Sequence, residues 1–167
     1  MVKRHIQKLL QDSSVKFVTT MIDFYGLPDN FPSQENLPIA SCYSQVTHLE
    51  NAFEQDIGYQ SQRFSAYLQL HEFEAMLFVA PDKMAQMFPD LNKTKQLVAI
   101  KEAFASPEEI NNNRQTAPSK RILSLFPGYQ KPLYGTLIAL DIGLDHIRSE
   151  CSHFNQWLTK LEGLGTA

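Results

Sequence analysis

The stretch VKFVTTMI, Val15 to Ile22, constrains the fold more than any other part of this chain, because it is β-branched and almost continuously apolar. Such a run has no polar face to offer water, so it predicts a strand buried on both faces, as parallel sheets require. RFSAYLQL, Arg63 to Leu70, predicts a second strand. Between them lies a loop punctuated by Gly26, Pro28, Pro32 and Pro38, which excludes helix and central strand. Val46, Leu49, Ala52, Phe53 and Ile57 then recur at helical spacing up to Gly58, with Thr47 and Glu50 offering a capping box. Strand, loop, helix and strand in this order predict a right-handed parallel crossover. A short amphipathic helix, Val2 to Gln11, leads into it.

Glu72 to Phe78 reads as the next helix, and beyond Pro81 the pattern is helical in short pieces. These cover Lys83 to Phe88, Lys93 to Phe104, Ser119 to Phe126, Leu133 to Ile142, and Leu144 to Leu161 with a break near Cys151 to His153. No convincing strand follows residue 80. The expected class is α/β, a small parallel sheet with a mainly helical C-terminal half. One domain over 1–167 is expected, its α/β part at 1–80 and its helical part at 81–167. Phe154, Trp157, Leu158 and Leu161 form an apolar stripe read as core.

At 167 residues, 43% of them hydrophobic and 20% charged, the chain can build a core without staples. A net charge of −3 gives no argument for a nucleic-acid partner, which would need a local basic patch. Cys42 and Cys151 lie far apart and outside any C-x-x-C pattern, which predicts reduced, packed thiols. No signal-peptide core and no run of roughly 18 apolar residues is present, so a cytoplasmic protein without membrane insertion is expected.

Both predicted strands end in acids: Asp23 follows Ile22, and His71-Glu72-Phe73-Glu74 follows Leu70. Parallel strands bind ligands at their carboxyl ends, so Asp23, Glu72 and Glu74 are the candidate catalytic and metal-binding residues. Mg²⁺ or Mn²⁺ takes such oxygen ligands together with substrate phosphates, which suits a phosphodiester reaction. Simpler roles stand beside these. Glu72 and Glu74 would stabilise a helix dipole, Asp23 would close an Asx turn, and His71 would be a metal ligand, a general base or a rim side chain. Lys120, Arg121 and Lys131, with Arg114 and the interleaved Tyr129, are candidate phosphate contacts or a solvated face. No Walker A loop, G-x-G-x-x-G, G-x-S-x-G or H-E-x-x-H is present. An acid/base hydrolase using Asp23 and Glu72 is a further reading.

The segments TTMIDFYGLP, LQLHEFEAMLF, SPEEIN, TAPSKRI, FPGYQK and CSHFNQWL, in this order, resemble the domain of unknown function 4276 family over nearly the whole chain. That family is similar to the TOPRIM fold of topoisomerases, primases and the nucleases that accompany ABC-type ATPases in bacterial defence against phage. The resemblance implies a Mg²⁺-dependent phosphoryl-transfer site. Asp23 matches the first aspartate of a D-x-D motif, Tyr25 stands where the second would be, and Glu72 and Glu74 are the replacement carboxylates. Relatives begin with a strand carrying E-G-x-T-E, whereas here Met1 starts on the helix before VKFVTTMI. The expectation is therefore a fragment, a truncated frame, or a chain that relies on a partner or a second copy to cover a sheet edge. A nuclease is the leading expectation, with nucleic acid as partner. A non-catalytic module docking on an ABC-type ATPase, its acids serving only as helix caps, is the alternative.

Overall fold

Thr20 interrupts what the sequence presents as one continuous strand. In the computed structural model, which describes residues 2–58, 63–88, 90–111 and 115–165, the run splits into β1 (Val18–Thr19) and β2 (Ile22–Asp23). Its partner splits likewise into β3 (Phe64–Ser65) and β4 (Leu68–Gln69). Both pairings are parallel: Val18 opposes Phe64 and Thr19 opposes Ser65, while Ile22 opposes Leu68 and Asp23 opposes Gln69. At the gap a hydroxyl does the work of a ladder rung. Thr20 Oγ1 accepts the Tyr67 N–H at 3.0 Å and donates to the Tyr67 carbonyl at 3.2 Å.

The chain divides between Gln69 and Leu70 into two compact units. In the first, the strand buried throughout is the second one, because every residue from Phe64 to Leu68 and Gln69 is buried while Met21 of the first run is 45% exposed. The expectation that VKFVTTMI is buried on both faces is thus corrected: Lys16 and Met21 are exposed, Val15, Phe17, Thr19 and Ile22 are half-buried, and only Val18 and Thr20 are buried. Helix α1 (Val2–Gln11) buries Ile6 and Leu10. Helix α2 (Cys42–Ile57) buries Val46, Leu49, Phe53 and Ile57, each contributing roughly 1.5–3 kcal/mol of burial. Phe53 meets Phe31 at 5.0 Å and Phe64 edge-on at 5.7 Å between ring centroids.

The N-cap of α2 is Ser41, whose Oγ accepts the Ser44 N–H, so the expected Thr47/Glu50 box does not form. Glu50 serves the sheet instead. Its carboxylate accepts the Leu68 N–H at 2.8 Å, and Glu54 accepts that of Ala66 at 2.9 Å, satisfying donors that the broken ladder leaves over. Arg63 closes the turn after α1 by donating to the carbonyls of Leu10, Asp12 and Val15.

The second unit opens with a 3-10 helix over Phe73–Val79, where an α-helix was expected from Glu72. Its residues from Glu74 to Val79 are all buried, so it forms the centre of a set of α-helices, all but the last of which pack directly on it. These are α3 (Pro81–Met87), α4 (Leu91–Glu102), α5 (Pro118–Leu125), α6 (Thr136–Ile142), α7 (Leu144–Glu150) and α8 (Ser152–Gly163). A π-helical turn, Lys131–Gly135, runs directly into α6. The described residues beyond 80 hold no strand, as expected. The break between α7 and α8 falls at Cys151, a buried free thiol that burial pushes above its ordinary pKa. Of the predicted core stripe on α8 only Phe154 is buried; Trp157, Leu158 and Leu161 are half-exposed. The start of α8 is tied down by fully buried Glu108, which accepts the N–H groups of His153 at 3.0 Å and Phe154 at 2.9 Å. Among the described residues no helix is long and apolar enough to cross a membrane.

Candidate functional site

The run FEAMLFV carries one charge, Glu74, into a helix that is otherwise apolar all round. Its carboxylate is completely buried, and a buried charge must be compensated or neutralised. Lys131 Nζ lies 2.8 Å from Glu74 Oε2, and the Tyr129 hydroxyl, also buried, donates to Oε1 at 3.4 Å. Burial still holds the Glu74 pKa above the ordinary carboxylate value, with Lys131 opposing the shift. The same burial, with Glu74 beside it, drives the Tyr129 phenol far above its ordinary value.

Glu72 precedes the 3-10 helix in extended conformation and is 8% exposed. Its Oε2 accepts the Ser119 N–H at 2.9 Å, in the first turn of α5, where a carboxylate also meets the positive end of the helix dipole. His71 is buried with φ of 60°, a left-handed conformation that costs energy at a non-glycine residue. Its Nδ1 lies 3.2 Å from the Asn111 side-chain nitrogen, and burial pulls its pKa down to about 4, so the ring is neutral at neutral pH and accepts from that amide. His71, Glu72 and Glu74 therefore form a buried polar turn held by Asn111, Ser119, Tyr129 and Lys131.

Gly135 is part of this arrangement. A Cβ there would come within 2.9 Å of the Tyr129 hydroxyl and 3.5 Å of Phe73 Cε1. Gly135→Ala is expected to push that hydroxyl off Glu74 and to lower stability by about 1–3 kcal/mol, the range for overpacking a core. Chemical denaturation of the variant beside the native chain measures it; equal midpoints would refute it.

Asp23 ends β2 in the first unit, in extended conformation, and its side chain makes no capping bond to the 3-10 turn Phe24–Gly26 that follows, so the expected Asx turn does not form. Lys120 and Arg121 line a groove of about 410 Å³ with residues of α4 and α5, and Lys131 is not among its lining residues. The three cations predicted to contact phosphate thus divide into one on Glu74 and two in this groove. Arg114 lies outside the described residues. Among the described residues no three His, Cys, Asp or Glu side chains converge as a metal cluster. Sequence reasoning missed Ser119, Asn111 and Gly135. The lone acid in FEAMLFV did signal that a cation must be found for it, but nothing in the sequence named Lys131 as that cation.

A parallel-stranded α/β unit followed by a helical unit with buried acids at its entry defines the general class. The chain belongs to the family described as Domain of unknown function (DUF4276), whose model matches residues 1–162. No curated protein and no solved structure matches it.

Proposed function

We propose that this chain is a TOPRIM-like, metal-dependent phosphoryl-transfer domain, a nuclease effector of bacterial anti-phage defence, with Glu72 and Glu74 as ligands for Mg²⁺ or Mn²⁺. The observation that carries this reading is the buried Glu74 carboxylate, which holds a cation already: the Lys131 ammonium at 2.8 Å from Oε2. Lys131 is half-exposed on a long side chain, so it stands in for an ion without being locked there. Hard carboxylate oxygens at one turn fit such an ion, since Mg²⁺ commonly takes one or two carboxylates and completes its shell with water and substrate phosphate. A bound ion would supply Lewis-acid stabilisation of charge on a phosphoryl oxygen. Lys131, released from Glu74, would contribute a point charge to the same phosphate.

Titration calorimetry of Mn²⁺ into the native chain and its Glu74→Gln variant, with circular dichroism to confirm folding, tests this. Native binding that weakens at least tenfold in Glu74→Gln is expected. A folded native chain that takes up no Mn²⁺ would overturn the proposal. A second reading, a non-catalytic module of an ABC-type ATPase, draws on Glu72 holding the first turn of α5 and Glu74 being neutralised internally. Co-purification with an ATPase, combined with indifference to Mn²⁺, would favour it.

A further inference from the structure

The groove between α4 and α5 is lined by Gln96, Gln115, Thr116, Lys120, Arg121 and Ser124 together with apolar Ala99, Ile100 and Leu125. Two cations and four neutral polar side chains face a space of about 410 Å³, and no carboxylate is among the described lining residues. This is unusual for a chain of net charge −3 whose other second-unit cations are largely paired. Lys83 meets Asp141, Lys93 meets Asp90, Lys101 meets Glu150, Lys131 meets Glu74 and Arg148 meets Glu162. Lys120 and Arg121 form no ion pair among the described residues.

Arg121 is also held in a fixed pose. Its Nε donates to the Thr116 carbonyl at 2.6 Å, and its guanidinium carbon lies 5.5 Å from the centre of the Phe104 ring. These contacts hold one edge and one face of the guanidinium, leaving the Nη edge for an external acceptor. Burial lowers its pKa without a carboxylate to oppose it, which is a cost an incoming anion would offset. A preset guanidinium with an exposed lysine beside it matches the oxygens of phosphate: bidentate contact from Arg and a point charge from Lys.

We infer that the α4/α5 groove, through Arg121 and Lys120, is a binding site for a phosphate group, carried either by a nucleic-acid backbone or by a small phosphate ligand. Binding there needs no metal ion, so it stands or falls apart from the proposed activity.

The test is run in EDTA at low ionic strength. Inorganic phosphate is titrated into the native chain and into Lys120→Gln, Lys120→Glu and Arg121→Gln by amide-resolved NMR, and a fluorescent single-stranded oligonucleotide is titrated by anisotropy at several salt concentrations. Phosphate should shift resonances of α4 and α5 in the native chain, with affinity falling about tenfold in Lys120→Gln and further in Lys120→Glu. Lys120 is exposed, so these variants should melt like the native chain even if Arg121→Gln does not fold. Oligonucleotide binding whose salt slope drops by about 0.7 in Lys120→Gln assigns the phosphate to a nucleic-acid backbone. Phosphate binding without oligonucleotide binding assigns it to a small ligand. No shift at α4 and α5, or equal affinity in native and Lys120→Glu chains, would overturn the inference.

Discussion

Lys131→Met is expected to cost about 3 kcal/mol of stability at pH 8, the low end of the range for removing one partner of a buried ion pair. The low end applies because Lys131 itself is half-exposed, whereas Glu74 is wholly buried and bears the penalty. The loss should depend on pH with a defined sign. Glu74 already has a raised pKa, and removing its cation raises it further. A carboxyl whose folded pKa exceeds its unfolded one contributes stability fully below the unfolded value, here 4.5, and loses it as pH rises through the folded value. Lys131→Met should therefore approach the native stability below pH 4.5 and diverge above it. The double variant Glu74→Gln/Lys131→Met should recover most of the loss, because it removes the stranded charge and leaves Tyr129 an amide partner. Urea denaturation at pH 4 and pH 8 reads both effects. Equal stability of Lys131→Met and the native chain at pH 8 would mean that Glu74 does not depend on this cation.

His71 should give the second large effect, with the opposite sign. Its pKa falls from the ordinary 6.5 to about 4 on folding because the ring is buried. The unfolded chain binds this proton below pH 6.5 while the folded chain refuses it, so stability is full above 6.5 and is lost as pH falls towards 4. At 1.36 kcal/mol per unit the loss is about 3 kcal/mol. His71→Asn keeps a residue type that tolerates the left-handed backbone and can bond Asn111, but it does not titrate. The stability difference between native and variant chains should shrink or reverse between pH 6.5 and 4. A difference that stays constant over that interval would show that His71 is not the proton-linked group.

Much of the fold was legible because hydrophobic periodicity reports local burial directly. The span of α1, the C-terminal end of α2, the short C-terminal helices and the break at Cys151 follow from spacing and punctuation, whereas α2 begins at Cys42, a turn before its apolar pattern starts. The parallel order of the paired strands follows from the length of chain between them. Burial on both faces of VKFVTTMI did not follow. An apolar run records what a residue can tolerate, whereas exposure at Met21 depends on what packs over that face of the strand. Trp157 and Leu158 make the same point on α8. In the candidate site, the acids were visible as charges closing predicted strands, but their partners were not. Ser119 reaches Glu72 across 47 residues and Lys131 reaches Glu74 across 57, separations over which no local pattern operates.

The sequence alone therefore determined which segments become strand and helix, that the strands run parallel, and that acids and cations are available near turns. These are properties of a residue and its near neighbours. Only the tertiary structure decided which carboxylate is buried, that Lys131 neutralises Glu74 while Lys120 and Arg121 face a groove of their own, and that Glu72 holds the start of α5. Each of those outcomes is set by desolvation and long-range pairing, which exist only once distant parts of the chain have been brought together.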